Sequence, residues 1–486
     1  MKKNNLFKAV GIVILVYVLL SWIVPIVYSI GGFKGEVSNQ IGFVSLTNVI
    51  LETFSGFGSV VLYVLLVGAF YGVLKATGAY DKVMDHLSSK ASGREKATLI
   101  TIIVCMALIS SVSGLDLGLL VLFPLLIGLV VRMGYDKMVA LSATVGATLV
   151  GMYGATLAGT LYGANNTILG LKKFDQIVPK IVLFVVGLAA LIVFVLLYIK
   201  NNGVKKVTVK KEVKSAAKKV EAKVKKGVKA TTKAKKEKKE RGAVPALIIL
   251  GIVLLVIFLG TTNWGGIFKS NWFEKAHTSW TGVKIAKFAI LDKLFGGVDA
   301  FGSWLTPTRF QTYSLLLIFA MVALKFLYRT KWEDVFEGFV DGIKSFIVPA
   351  ILVVLAGSVF VLVYYNPFLS VVTGNLLSAT KEFNVALTGI YTMINSLFYV
   401  DYYYVAYASL YSLTNVYTDK SVLSVLSIMY ANLYSLVMLV APTSMLLLVS
   451  LSISDVKYTD WIKFIWKLVL ALFVISFVVF TVMILV

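Results

Sequence analysis

Two short segments, VSGLDLG at 112–118 and FYVDYYY at 398–404, each place one acidic residue inside an otherwise apolar stretch. After each segment the chain continues in the same order, with an Asp-Lys pair, a small polar patch and a charged turn before a last apolar span. The four landmark pairs are Asp116 and Asp401, Asp136 and Asp419, Ala158-Gly159-Thr160 and Ala441-Pro442-Thr443, and Asp175 and Asp460. Their offsets of 285, 283, 283 and 285 residues are nearly constant and indicate a duplicated half. Duplicated halves with polar breaks in apolar segments are typical of secondary transporters.

The composition indicates a membrane protein. Hydrophobic residues make up 58% of the 486 residues and charged residues only 15%, so a soluble fold could not bury the apolar surface. Several apolar runs reach the roughly 20 residues that a helix needs to cross a bilayer, and the alternating segments of a β-barrel are missing from the sequence. The first run, 6–30, is too long for a signal-peptide core, and we interpret it as an uncleaved span. The sequence predicts an all-α, polytopic protein of the cell membrane.

Residues that bind transition metals are rare in this chain. There is one cysteine, Cys105, and the two histidines, His86 and His277, lie in separate connecting regions. An intramolecular disulfide is therefore impossible, and a zinc centre is not expected. We expect no cofactor other than a coupling ion, and no enzymatic activity.

Basic charge concentrates between the two halves. Residues 201–241 hold 16 Lys, one Arg and four Glu, which supply +13 of the formal net charge of +23. The positive-inside rule places this segment and the N-terminus in the cytoplasm. The expected organisation is a first half at 1–200, a Lys-rich cytoplasmic linker at 201–243, and a second half at 244–486 that ends outside. The linker is either a solvated connection or a contact for anionic lipid, and it has no aromatic residue to stack on bases, so we expect no specific nucleic-acid partner.

Span lengths and charge placement predict two inverted repeats. The apolar arms within 97–131 are short for two crossings, and they fit a re-entrant hairpin that enters from the cytoplasm with Asp116 at its tip. A second hairpin at 384–418 carries Asp401 near its tip and enters from outside. Each hairpin precedes a helix that is too long for one straight span and is broken at the small polar patch. The predicted broken helices lie at 138–170 and 421–454.

Three longer stretches carry a family resemblance. They are GAYDKVMDHLSSKASGRE at 78–95, FPLLIGLVVRMGYDKMVAL at 123–141 and NLYSLVMLVAPTSMLLLVSLSISDVKYTDWIKFIWKLV at 432–469. The chain resembles the ion transporter superfamily, in particular its YfcC-like and four-carbon-dicarboxylate-uptake branches, which are related to AbgT transporters and divalent anion:sodium symporters. The resemblance implies an elevator-type carrier in which two hairpins and two broken helices converge on a midplane site. Members move dicarboxylates, amino acids or their conjugates, usually with a sodium or proton gradient.

The hairpin tips depart from the pattern of these relatives. Leu117 and Gly118 stand where YfcC-like relatives carry acidic residues, and the second tip, 400–404, has one aspartate and three tyrosines in place of a Ser-Gly-rich turn. The polar pairs expected shortly before the small polar patch APTS (441–444) are replaced by Tyr434-Ser435 and Val437-Met438. A substrate therefore cannot be carried over from the relatives.

The two tip aspartates are the main candidates for ion or substrate binding. An ionised Asp at the bilayer centre costs several kcal/mol unless it is paired, hydrated or neutralised. Asp116 and Asp401 could ligate Na⁺ with nearby carbonyl groups or carry a proton, or they could lie at shallow tips that touch water. Half-helix N-termini at the two breaks suit a substrate carboxylate. The candidate oxygen donors are Ser111, Ser113, Thr156 and Thr160 in the first half and Asn395, Ser396, Thr443 and Ser444 in the second half.

Three further features have two interpretations each. Asn165, which we include in the candidate site, closes the pocket or caps the returning half-helix. The tyrosine cluster at 402–411 either stacks on an aromatic or peptide-like substrate or packs internally. Arg309 follows Thr306-Pro307-Thr308 at the start of a span, where we expect an interface anchor rather than a substrate ligand.

The sequence therefore predicts a secondary active transporter of a small organic anion or an amino-acid-like or peptide-like substrate, driven by Na⁺ or H⁺ through an elevator mechanism. One alternative is a non-transporting tether or receptor that uses the basic linker. Another is an intramembrane aspartyl protease, but Asp116 follows Leu115 rather than glycine, Asp401 follows Val400 rather than tyrosine, and APTS does not match that family's proline motif. Substrate, coupling ion, direction and oligomeric state, for which a homodimer is one option, are left open.

Overall fold

The computed structural model describes residues 2–31, 40–172, 176–202 and 241–485, except for 286, 296, 306–308, 370–371, 373–376, 378–381 and 415. Within these residues the fold is helical, and ten helices are long and apolar enough to cross a membrane. The all-α, multi-pass prediction is confirmed. The linker at 203–240 and the landmark Asp175 lie outside the described residues.

The first half contains two long spans, a hairpin, a broken helix and a returning span. Its helices are α1 (Lys2–Gly31), α2 (Phe43–Ala76), α3 (Ala79–Ala91), α4 (Glu95–Ser113), a 3₁₀ helix (Leu117–Leu122), α5 (Phe123–Arg132), α6 (Lys137–Leu141), a π-helical turn (Ser142–Gly146), α7 (Ala147–Gly154), α8 (Gly159–Leu169) and α9 (Ile177–Asn202). We name α4, the 3₁₀ helix and α5 hairpin 1. Its second arm, predicted as one apolar segment, starts as a 3₁₀ helix and becomes α-helical at Phe123, where Pro124 occupies the first turn.

The second half repeats the hairpin, the broken helix and the returning span, but three long spans precede them, with short helices after the first of the three. Its helices are α10 (Val244–Thr261), α11 (Trp264–Phe268), α12 (Trp272–Thr281), α13 (Ile290–Phe295), α14 (Arg309–Tyr328), α15 (Trp332–Tyr365), α16 (Val385–Phe398), α17 (Tyr402–Val405), a π-helical turn (Ala406–Leu410), α18 (Tyr411–Leu413), α19 (Lys420–Met438), α20 (Met445–Ser454) and α21 (Tyr458–Leu485). We name the segment from α16 to α18 hairpin 2. The amphipathic, charged segment at 332–346 and the apolar run after it form the single helix α15.

The repeated Asp-Lys pairs start equivalent helices. The carboxylate of Asp136 accepts a hydrogen bond from the Val139 amide at 2.9 Å, and that of Asp419 accepts one from the Ser421 amide at 2.7 Å. Both aspartates thereby satisfy amide groups that the first helical turn leaves unpaired. Asp419 also accepts from the Ser421 hydroxyl, and these bonds hold the pKa of its carboxyl below the ordinary value.

Each broken helix is tied to its own hairpin by a matching hydrogen bond. The Thr160 hydroxyl donates to the Gly114 carbonyl at 3.4 Å, and the Thr443 hydroxyl donates to the Leu397 carbonyl at 2.6 Å. Donors and acceptors are both separated by the 283 residues that relate the landmarks. The duplication seen in the sequence is therefore a duplication of local structure at the two tips.

The hairpins enter from opposite sides. We call the side where α2 ends the Lys75 side, and there the open end of hairpin 1 is fixed by an ion pair between Arg132 and Asp85 of α3 at 2.6 Å. We call the other side the Asn263 side, since α8 lies against Asn263 there and also packs on the return arm of hairpin 2. In the same way α20 packs on the 3₁₀ helix and α5 of hairpin 1. The inverted-repeat prediction is confirmed.

Helices α2 and α15 cross closely through four glycines, which we call the glycine seam. Its members are Gly68, Gly72, Gly338 and Gly342. A Cβ atom at Gly68 would lie 2.6 Å from the Gly342 carbonyl oxygen, and one at Gly72 would overlap the Gly338 carbonyl oxygen. Small residues four apart let helix backbones approach closely in a membrane, so the seam fixes α2 and α15 as one unit.

Candidate functional site

The tips of the two hairpins meet at two cavities that share lining residues. A small cavity of about 50 Å³ and a larger one of about 570 Å³, the main cavity, are both lined by Asp116, Asp401, Arg309 and Met152. The main cavity extends toward the Asn263 side, where Asn263 and Leu171 line it. The fold therefore brings together two aspartates that are 285 residues apart in the sequence.

The position of Asp116 depends on a glycine at the end of α4. Gly114 is in the left-handed region with φ +72°, and a Cβ there would overlap the Thr160 hydroxyl. The chain therefore turns sharply into the tip, and Asp116 stands at the N-cap of the 3₁₀ helix without a side-chain capping bond. Its carboxylate is 33% exposed and faces the cavity.

Asp401 is held more tightly than Asp116. It is the N-cap of α17, and its carboxylate accepts a hydrogen bond from the Tyr403 amide at 2.9 Å. The Tyr434 hydroxyl donates to the neighbouring Val400 carbonyl at 3.0 Å and fixes the backbone of the tip. One carboxylate oxygen of Asp401 is thus engaged by the backbone, and the residue lines both cavities.

Arg309, the first residue of α14, is part of this site and not the interface anchor expected from the sequence. Its Nη2 lies 3.7 Å from Asp116 Oδ1, its Nη1 donates to the Leu305 carbonyl at 3.0 Å, and its side chain is only 12% exposed. A cation is disfavoured at a helix N-terminus by the helix dipole, so a nearby acid is needed to stabilise it. That mismatch was the one sequence signal that could have identified Arg309.

The structure divides the predicted oxygen donors into two groups. Thr160 lines the main cavity and Ser444 lines the small one. The other six predicted donors line neither cavity, and their side chains form hydrogen bonds within the fold. The pairs are Ser111 with Thr156, Ser113 with Ile109 and Leu115, Asn395 with Tyr391, Ser396 with Thr392, and Thr443 with Leu397. Most of the second group therefore shape the hairpins rather than the walls of the cavity.

Asn165 joins the two repeats. Its amide donates to the Ser427 carbonyl at 2.7 Å, and the Ser427 hydroxyl in turn donates to Asn166 Oδ1 at 2.9 Å. Asn165 is buried and does not line the main cavity, whereas its neighbours Asn166 and Thr167 do.

Tyrosines and small residues complete the main cavity. Tyr402, Tyr403, Tyr404 and Tyr407 line it from hairpin 2, and Gly159, Gly163 and Ala164 line it from α8. The cavity therefore has a charged region at the hairpin tips and a long aromatic and small-residue region beside it.

A third cavity lies on the Lys75 side. Its volume is about 890 Å³, and it lies between α2 and α15 on one hand and hairpin 1 and α20 on the other. Its charged lining residues are Lys75, Asp334, Glu337, Asp341 and Asp455. Large spaces therefore lie on both sides of the paired hairpin tips.

Two oppositely oriented hairpins, two helices broken at their tips and a polar cavity between them define the class of secondary transporters. The sequence profile of DcuC, the C4-dicarboxylate anaerobic carriers, matches residues 7–406 and 421–485. The chain belongs to this carrier family. Among solved structures, the chain is similar to the YdaH transporter of Alcanivorax borkumensis, described as having an unusual topology, with 14% identity, a TM-score of 0.43 and 98% coverage of each chain. A search of curated proteins finds no match.

Proposed function

We propose that this protein carries a small carboxylate-bearing anion, with C4 dicarboxylates as the first candidates, and couples its movement to a Na⁺ or H⁺ gradient. The observation that supports this most is the main cavity, which is lined by the Arg309 guanidinium, 3.7 Å from Asp116, and by the aspartates of both hairpin tips. A guanidinium binds a carboxylate through paired hydrogen bonds and is well suited to anchor such a substrate. Amino acids and peptide-like substrates carry the same anchor group and are the second candidates.

Charge supports cation coupling. With Asp116 and Asp401 ionised, Arg309 neutralises only one of the two carboxylates, so these three side chains together carry a net negative charge. A dianion entering this space would add repulsion in a medium of low dielectric constant, where unpaired charges are costly. Binding of Na⁺ or H⁺ at the aspartates removes that repulsion and makes substrate and ion binding mutually dependent.

The broken helices supply a second anion-binding element. Helix α8 begins at the break, and its first residues, Gly159 and Thr160, line the main cavity. The N-terminus of a helix presents amide groups and a partial positive charge. A substrate with two carboxylates could place one near Arg309 and the other near the start of α8.

We also propose an orientation, which rests on the distribution of Lys and Arg, and an elevator mechanism, which rests on the packing of α2 against α15. We place the N-terminus, the Lys75 side and the Lys-rich linker in the cytoplasm and the C-terminus outside, so that the main cavity is open to the exterior. The glycine seam supports a rigid unit of α2 and α15, past which the hairpins and broken helices would move as a second unit. Membership of the YfcC-like branch within the larger superfamily stays a prediction.

The decisive experiment uses purified protein in proteoliposomes. An inward Na⁺ or H⁺ gradient should accelerate uptake of labelled succinate, and unlabelled dicarboxylates should compete. If neither gradient changes uptake of any dicarboxylate or amino acid tested, ion-coupled transport of these substrates is wrong. Deletion of 204–240 should leave uptake intact, because the proposed function assigns no step of transport to the linker.

A further inference from the structure

We propose that, among the carboxylates assigned above, the site prefers one that carries a flat apolar body, such as an aryl-substituted four-carbon acid, over the bare acid. The proposal rests on the carrier function above and concerns the part of the main cavity away from Arg309. A volume of about 570 Å³ falls in the range of roughly 300–1,000 Å³ that holds drug-sized ligands, which are much larger than a four-carbon acid. The residues in this additional space determine what it accepts.

Two tyrosines offer ring surface that the described part of the chain leaves exposed. Tyr403 and Tyr407 have ring centroids 4.4 Å apart, and their residues are 50% and 41% exposed. Their neighbours are used differently, since Tyr402 packs on Tyr434 with centroids 5.1 Å apart and Tyr404 packs on Phe360 at 4.4 Å. Tyr403 and Tyr407 therefore retain aromatic area for a ligand in the main cavity.

The α8 wall contains a glycine that packing does not require. A Cβ atom at Gly159 would lie 2.6 Å from the Asn263 side chain, so protein contacts explain that glycine. Among the described residues, a Cβ at Gly163 would meet nothing within 4 Å, although Gly163 lies inside a helix, where glycine costs roughly 0.5–1 kcal/mol relative to alanine. Gly163 lines the main cavity, and the space that it leaves belongs to the cavity.

The two walls and the charged tips together define an amphipathic ligand. Asp401 and Tyr403 are two residues apart on hairpin 2, so the charged and aromatic regions adjoin, and Gly163 keeps the α8 side open. A carboxylate at Arg309 and an aromatic ring against Tyr403 and Tyr407 would use all three features. Contacts between aromatic rings contribute about 0.5–1.5 kcal/mol beyond their area, which corresponds to about two- to tenfold in affinity.

Succinate and phenylsuccinate test this, because they share the dicarboxylate and differ by one phenyl group. In proteoliposomes assayed for succinate uptake, phenylsuccinate should compete about two- to tenfold better than unlabelled succinate. Gly163→Leu should remove this preference for phenylsuccinate, because the leucine occupies the space of the ring. Gly251→Leu is the matched control and should keep the preference, since Gly251 lies on an exposed face of α10 where a Cβ meets no described residue within 4 Å.

The outcomes separate this proposal from the carrier function. Succinate uptake with no preference for phenylsuccinate, or an unchanged preference in Gly163→Leu, overturns the aryl proposal and leaves the carrier function standing. Absence of uptake and of competition by either acid overturns both. A loss of preference in Tyr403→Leu and Tyr407→Leu that matches the loss in Gly163→Leu supports the assignment of the aromatic wall.

Discussion

Arg309 Nη2 lies 3.7 Å from Asp116 Oδ1, and this ion pair joins a transmembrane helix, α14, to the tip of hairpin 1. Helix α14 packs on α2 through Phe310 and Tyr313, whose rings lie 5.5 and 5.6 Å from that of Tyr63. The pair therefore connects the unit that contains the glycine seam with one of the two hairpins. A substrate carboxylate that binds Arg309 would compete with Asp116 for the same guanidinium.

Arg309→Gln should raise the KM for carboxylate uptake by about tenfold or more, because a charge-assisted hydrogen bond contributes about 1.5–3 kcal/mol. Concentration-dependent uptake in proteoliposomes measures the change. Arg329→Gln is the matched control, since Arg329 follows the last residue of the same helix and is exposed. Equal KM values in both variants and the parent would show that Arg309 does not bind the substrate.

Asp116→Asn and Asp401→Asn should each weaken the dependence of uptake on the driving ion. The amide keeps the size of the side chain and cannot carry the charge that Na⁺ or H⁺ neutralises. The slope of uptake rate against Na⁺ concentration, and against pH without Na⁺, gives the dependence. Asp81→Asn, on the exposed face of α3, should behave like the parent. If both site variants keep the ion dependence of the parent, these aspartates are not the coupling residues.

The fold was predictable because it depends on quantities that a sequence displays directly. The lengths of apolar runs and the position of Lys and Arg decide which segments cross, and the constant offset between Asp136 and Asp419 shows the repeat. The extent of α15 was not predicted, because its charged first part, 332–346, has the composition of an interfacial helix. Contact with α2 along the glycine seam makes that part continuous with the span.

The site was harder to predict because it depends on the direction of side chains. Ser396 and Thr443 have suitable oxygen atoms, but the Ser396 hydroxyl donates to the Thr392 carbonyl within its own helix, a bond that Ser and Thr often form. The Thr443 hydroxyl donates to the Leu397 carbonyl of hairpin 2. The sequence predicts Arg309 as an anchor at the membrane interface, because a residue at the start of a span gives no indication of its distance from Asp116 in the folded chain. Only the three-dimensional arrangement of α14 against hairpin 1 reveals that contact.

Thr443→Val should lower the free energy of unfolding by about 1 kcal/mol, because the variant keeps the shape and loses the hydrogen bond to the Leu397 carbonyl. Thr160→Val should cost less, because its bond to Gly114 is 3.4 Å rather than 2.6 Å long. Thermal unfolding in detergent compares the two. Thr481→Val on the exposed face of α21 is the control, since its hydroxyl bonds only within its own helix. A smaller effect at Thr443 than at Thr481 would contradict an anchoring role.

Gly72→Ala should destabilise the protein by about 1–3 kcal/mol, because the added methyl group overlaps the Gly338 carbonyl and forces α2 and α15 apart. Gly11→Ala makes the same change in α1, where a Cβ meets no atom of the described residues within 4 Å, and it should be neutral or slightly stabilising. Melting temperatures of the two purified variants provide the comparison. Equal melting temperatures would show that α2 and α15 accommodate the added methyl group at the glycine seam without loss of stability.

Tyr63→Phe with Tyr71→Phe should shift the position of hairpin 1 relative to α2. The hydroxyl of Tyr63 donates to the Gly118 carbonyl at 2.8 Å, and that of Tyr71 donates to the Val121 carbonyl at 2.7 Å, both on the 3₁₀ helix. A carrier in which hairpin 1 slides past α2 must break both bonds, and each is worth about 1 kcal/mol, so their loss should raise the population of the displaced state by about tenfold or more.

The single native cysteine makes this displacement measurable. Cys105 lies on α4 of hairpin 1 and is exposed, and Leu62→Cys adds a second exposed position on α2. Spin labels at these two sites report the distance between hairpin and helix by electron paramagnetic resonance. We expect a second distance to grow in the double tyrosine variant and to respond to substrate and Na⁺. One unchanged distance under all conditions would rule out an elevator movement of hairpin 1 along α2, because the two labels sit on the two units that such a movement separates.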